Sequence, residues 1–83
     1  MSLEILYNNA AFKHGITMAD IENAISLFLF DSAIDGEYDK YLLIGFDTRG
    51  NLLEIMYNVI NYNSINVFHA MKCRKEYIKL LER

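Results

Sequence analysis

Apolar and polar residues alternate over residues 3–7 (Leu-Glu-Ile-Leu-Tyr), a period of two that predicts a short strand. Asn8 and Asn9 then offer a helix N-cap, and a short helical turn is expected through Phe12 and Lys13, ended by Gly15. Thr17, three residues before Asp20, has the form of a capping box with Asp in place of the usual Glu. Ile21, Ala24, Ile25 and Phe28 follow at helical spacing, so the pattern predicts an amphipathic helix from Thr17 to about Phe28. Residues 31–38 are polar punctuation with room for one short strand. Residues 41–46 read as a clear strand, and residues 47–51 as a turn in which Gly50 can take positive φ. In the next expected strand, 52–60, Leu53, Ile55, Tyr57 and Val59 share one face, while Glu54 and Asn58 interrupt the other. After a second turn at 61–64, residues 65–70 complete a three-stranded antiparallel meander. The last expected element is a helix over 72–83, with Cys73, Tyr77, Leu80 and Leu81 inward and Lys72, Lys75, Glu76 and Lys79 outward.

These elements describe an α+β chain: a meander sheet, two N-terminal helices and a C-terminal helix. Eighty-three residues are enough for one domain, 1–83, and a 53% hydrophobic content argues for a packed core. That apolar share in so short a chain also hints that some apolar surface meets a partner. The chain has no proline and four glycines, so no flexible linker is expected. The longest uncharged apolar stretch, residues 24–30, is too short to span a bilayer, and Met1-Ser2-Leu3-Glu4 lacks the layout of a signal peptide. A single cysteine, Cys73, cannot form an internal disulfide, and together these features favour a cytoplasmic location.

Charge adds an asymmetry. Residues 72–83 carry five basic groups against two acidic ones, whereas the rest of the chain carries three against nine. One basic face on an acidic body, or a self-complementary surface that pairs two copies as a dimer, is expected from this layout.

Motifs for phosphate loops, metal ligation or nucleophile elbows are lacking, so no metal and no cofactor are expected. His14, in Lys13-His14-Gly15, suits a helix C-terminus, where it can meet free carbonyls and the negative end of the dipole. His69 ends the third expected strand, just before the basic helix. There it serves either as a cap of the sheet or as a proton-transfer group beside a phosphate held by Lys72 and Arg74. Arg49 sits at a hairpin tip, where a lone Arg is usually solvated. Six tyrosines are many for this length and can cover the sheet or stack on bases. Met18, Met56 and Met71 read as core filler.

The order of these pieces carries a resemblance. Lys13-His14-Gly15-Ile16-Thr17 opens the second helix. The run Leu-Leu-Ile-Gly-Phe-Asp-Thr-Arg-Gly-Asn-Leu-Leu-Glu-Ile spans 42–55, and Asn-Val-Phe-His-Ala-Met-Lys-Cys-Arg-Lys-Glu-Tyr spans 66–77. From about Leu3 to Leu81 the chain resembles the BrnT-type toxins of bacterial type II toxin–antitoxin systems. The family's strand-end Arg falls at His69, one Arg of its following basic pair falls at Arg74, and the family is usually basic where this chain is acidic. The resemblance implies a RelE-like ribonuclease fold, metal-independent cleavage of messenger RNA, and neutralisation by a cognate antitoxin protein. His69 would then be the general acid or base, with Arg74, Lys72 and Arg49 stabilising charge on phosphorus and Lys75, Lys79 and His14 binding RNA. The alternative is a non-catalytic interaction module of the same fold that binds a partner protein or self-associates.

Overall fold

The computed structural model of the chain describes residues 3–82; Met1, Ser2 and Arg83, the last position of the expected C-terminal helix, lie outside the described residues. The architecture is α+β, built on a five-stranded sheet of order β1-β5-β4-β3-β2. Strands β2 (Phe28–Ala33), β3 (Tyr41–Phe46), β4 (Leu52–Asn61) and β5 (Ser64–Lys72) form an antiparallel meander. Strand β1 (Glu4–Tyr7) joins the free side of β5 in parallel, with Ile5 opposite Ile65 and Tyr7 opposite Val67.

The meander therefore has four strands, not three. Its extra strand begins where helix was expected: α1 spans Met18–Ser26, and Phe28 already belongs to β2. Leu27-Phe28-Leu29-Phe30 has no polar face for a helix to turn to solvent, and as a strand it gains backbone pairing with β3. A bulge between Phe28 and Phe30 bends this edge strand, on which Phe28 and Leu29 remain about half exposed.

One face of the sheet carries the core. Leu43, Leu53, Ile55, Tyr57, Val67 and Ala70 pack against Ile21 and Ala24 of α1 and Ala11 of the 3₁₀ turn Asn9–Phe12. The caps expected for both N-terminal elements form. Asn8 Oδ1 accepts from the Ala10 N–H at 2.9 Å, and Thr17 Oγ1 accepts from the Asp20 N–H at 3.1 Å. Helix α1 lies directly on β3, because Gly45 has no side chain between the two backbones. A Cβ there would stand 2.8 Å from the Ala24 carbonyl carbon and 3.0 Å from its Cα. Asn23 ties the same helix to the end of β3, donating to the Phe46 and Asp47 carbonyls at 2.8 and 3.0 Å.

The C-terminal segment departs most from expectation. Lys72 closes β5, and the chain then forms only a four-residue helix, α2 (Lys75–Ile78), and a 3₁₀ turn, Lys79–Leu81. β5 continues past the end of the apolar run because the Cys73 N–H still bonds the Leu52 carbonyl at 2.9 Å, which holds this stretch to β4. Tyr77 and Leu80 lean over the second face of the sheet, above a cavity of about 500 Å³ walled by Phe30, Leu42, Met56 and Phe68. Of the methionines expected as filler, Met56 and Met71 are partly buried, whereas Met18, in the first turn of α1, is half exposed.

Candidate functional site

Glu54 is the third residue of β4, between Ile44 of β3 and Met71 of β5, and its side chain is fully buried. A carboxylate taken out of water costs several kcal/mol unless charge and hydrogen bonds replace the solvent. Here they do. His69 Nε2 lies 2.9 Å from Oε2, and the Arg74 backbone N–H donates to Oε1 at 3.0 Å. The Arg74 Nε–H is shared between Oε1 and Oε2 at 3.1 and 3.2 Å, and Nη2 donates to Oε2 at 2.7 Å. Among the described residues no buried side-chain polar atom lacks a partner.

Local structure makes this convergence. Met56 faces His69 across the β4–β5 ladder, but Tyr57 faces Val67, so Phe68 is an extra residue in a β-bulge. The bulge resets the alternation of β5 and brings His69 onto the face of the sheet that Glu54 occupies. Beyond the strand, Arg74 takes an extended conformation (φ −79°, ψ 153°) that turns its backbone N–H and its guanidinium back toward Glu54. The guanidinium also lies over the Tyr77 ring, 5.2 Å from its centroid.

The electrostatics follow from these contacts. Burial pushes the Glu54 carboxyl up, but the hydrogen bonds and charge of Arg74 and the His69 hydrogen bond outweigh it, leaving Glu54 below the usual carboxylate range. The Glu54 carboxylate in turn raises Arg74. Burial and the nearby Glu54 charge push the Cys73 thiol up, the opposite of what a nucleophilic cysteine needs.

Four of the residues singled out in the sequence meet at this end of the sheet. The His14 ring sits edge-on to His69, with centroids 5.7 Å apart and planes at 74°. His14 therefore packs on the site rather than serving chiefly as a helix cap. His14 and Lys72 line a cleft of about 350 Å³ with Ile16, Asp47, Leu53 and Met71. Arg74 is present, but with Nε and Nη2 committed to Glu54. Arg49 is placed differently, on the β3–β4 hairpin, exposed and near enough to Asp20 to help lower its carboxyl, an effect led by the hydrogen bond from Thr48. Lys75 and Lys79 are exposed on the short C-terminal segment.

Glu54 was not singled out in the sequence, where it appeared only as an interruption of one strand face. A signal was there: a lone carboxylate in Leu52-Leu53-Glu54-Ile55-Met56, within a strand flanked on both sides, must find a cationic partner. Among the described residues, no group of three or more His, Cys, Asp or Glu is arranged to hold a metal ion. No helix among them is long and apolar enough to cross a membrane.

No protein-family model matches the sequence, and the curated proteins hold no match. Among solved structures, the fold matches the crystal structure of the Brucella abortus ribonuclease toxin BrnT with a TM-score of 0.62 at 15% identity. The match covers 89% of this chain and 100% of the toxin chain. With its five-stranded sheet and few short helices, this chain has a BrnT-like fold.

Proposed function

We propose that this chain is the toxin of a bacterial type II toxin–antitoxin pair, a cytoplasmic single-domain endoribonuclease that cuts messenger RNA. The observation that carries the reading is the Glu54–His69–Arg74 cluster, built into a fold similar to that of a ribonuclease toxin. RNA brings its own nucleophile, the 2′-hydroxyl. His69 takes the 2′-hydroxyl proton as the 2′-oxygen attacks the adjacent phosphorus. The bond from phosphorus to the 5′-oxygen breaks, that oxygen takes up a proton, and the products are a 2′,3′-cyclic phosphate and a 5′-hydroxyl. Lys72 and the outer edge of Arg74 offset negative charge on the phosphoryl oxygens. His14, Lys75 and Lys79 contact the RNA chain, and Arg49 meets it farther out on the hairpin. The acidic body limits non-specific RNA affinity, so binding rests on these few cations and weakens with salt in proportion to the phosphates they contact. A cognate antitoxin covers the site when the toxin is held inactive.

The test is cleavage of RNA by the purified chain, compared with His69→Ala. Loss of cutting in the variant, with 2′,3′-cyclic phosphate ends in the native digest, is the expected result. Equal cutting by both proteins would refute the assignment.

A second reading, a non-catalytic module that binds a partner protein or a second copy, is favoured by the exposed Leu27, Phe28 and Leu29 at the β2 edge. Co-expression with the neighbouring gene product separates the two. A tight complex, combined with no RNA cleavage and no toxicity from the lone chain, selects the module.

A further inference from the structure

The site holds a group that the proposed chemistry leaves without a role. Glu54 is fully buried, touches no solvent, and cannot reach a substrate past the two residues bonded to it. A carboxylate in that position is costly, and an apolar residue would fill this place in β4 more simply. What it does accomplish is directional. An ionised carboxylate only accepts hydrogen bonds, and the two-point contact with the Arg74 guanidinium keeps this one ionised. The ring nitrogen 2.9 Å from Oε2 must therefore carry a hydrogen.

We infer that Glu54 is a positioning residue that holds neutral His69 as its Nε2–H tautomer, leaving Nδ1 as the nitrogen that accepts the substrate proton. Arg74 belongs to the same device, since its backbone N–H, Nε and Nη2 hold the carboxylate in place. The logic parallels that of a carboxylate orienting a histidine in hydrolase triads, where loss of the charge puts the proton on the wrong nitrogen. Here the bonded and the reacting nitrogens are exchanged. The β-bulge at Phe68 is what allows it, by bringing His69 onto the face of Glu54.

The assignment to catalysis rests on the ribonuclease reading, whereas the tautomer stands on geometry alone, so two measurements keep them apart. The first is the ¹⁵N spectrum of the His69 ring in the native protein, recorded with the ring neutral. A proton on Nε2 and a bare Nδ1 are expected, and a ring protonated mainly on Nδ1 overturns the inference. The second is Glu54→Gln, whose carboxamide can donate as well as accept and so no longer dictates the tautomer. Its ring spectrum is expected to shift toward Nδ1–H, and its kcat for RNA cleavage to fall about 10²- to 10⁴-fold, the range that a positioned general base supplies. KM is expected to stay within about twofold, because Glu54 touches no substrate. A shifted tautomer with unchanged kcat overturns the positioning role. If the native protein cuts no RNA, the ribonuclease reading fails, and with it the catalytic part of this inference, while the native ring spectrum still decides the tautomer.

Discussion

Replacing Gly45 by Ala tests the packing on which the site is built. The added Cβ would collide with the Ala24 carbonyl oxygen and sit 2.8 Å from its carbon, whereas ordinary contacts begin near 3.4 Å, so clearing the carbon alone moves α1 by about 0.6 Å and clearing the oxygen moves it further. The obstacle is backbone, and no rotamer change relieves it. A retreat of that size forfeits a quarter to a half of the dispersion energy of the contacts it stretches. Those contacts belong to Ile21 and Ala24, both fully buried against Leu43 and Ile55. The Asn23 hydrogen bonds to the Phe46 and Asp47 carbonyls would lengthen as well. Overpacking of this kind costs about 3 kcal/mol, the upper end of its usual range. A chain of 83 residues has only about 4–12 kcal/mol in total. The expected fall in Tm is about 12–24 °C, at about 4–8 °C per kcal/mol for a domain of this size. Urea unfolding followed by circular dichroism should show the midpoint falling with the slope m unchanged. A Tm within about 2 °C of the native value would refute the direct seating of α1 on β3.

Thr17→Ala should cost about 1 kcal/mol in urea unfolding by removing the cap on the Asp20 N–H, and a loss below a few tenths would contradict the cap. Glu54, whose carboxyl is depressed in the fold, contributes stability that is present above the unfolded Glu pKa of about 4.3 and is lost as pH falls through the folded value. The native Tm should therefore drop below about pH 4.5 more steeply than that of Glu54→Gln, and parallel curves would exclude the carboxylate as the source. Tyr7 is raised to about 12 by burial and by the Glu22 carboxylate that accepts its hydroxyl hydrogen bond. A raised group stabilises the fold fully below its unfolded pKa, so this contribution should fade as pH climbs from about 10 towards 12. Ultraviolet titration of the native chain against Tyr7→Phe should show one phenol fewer ionising at the alkaline end, and a Tyr7 that ionises near the free phenol value of about 10 would refute it.

Local chemistry was legible wherever it closes within a few residues. The caps at Asn8 and Thr17, the positive φ of Gly15 and Gly50, and the alternation of Leu53, Ile55 and Tyr57 are each written in adjacent side chains. The boundary between α1 and β2 was less legible, because Leu27-Phe28-Leu29-Phe30 is apolar at every position and suits either period. Only its pairing with β3 settles it. The C-terminal residues have helical spacing, yet α2 is four residues long, since hydrogen bonding to β4 holds Cys73 and extends β5 instead.

The amino-acid sequence by itself determined an α+β chain, its hairpins, and a histidine beside basic residues; the strand end expected at that histidine lies three positions later, because β5 runs on to Lys72. Only the tertiary structure decided what that histidine faces. Glu54 and Arg74 lie twenty residues apart and Glu54 and His69 fifteen, so nothing local links them. A carboxylate in a strand reads as a solvent-facing interruption until the sheet closes around it and removes the water. From then on its charge has to be met by protein groups, and meeting it fixes the orientation of His69 and commits Arg74.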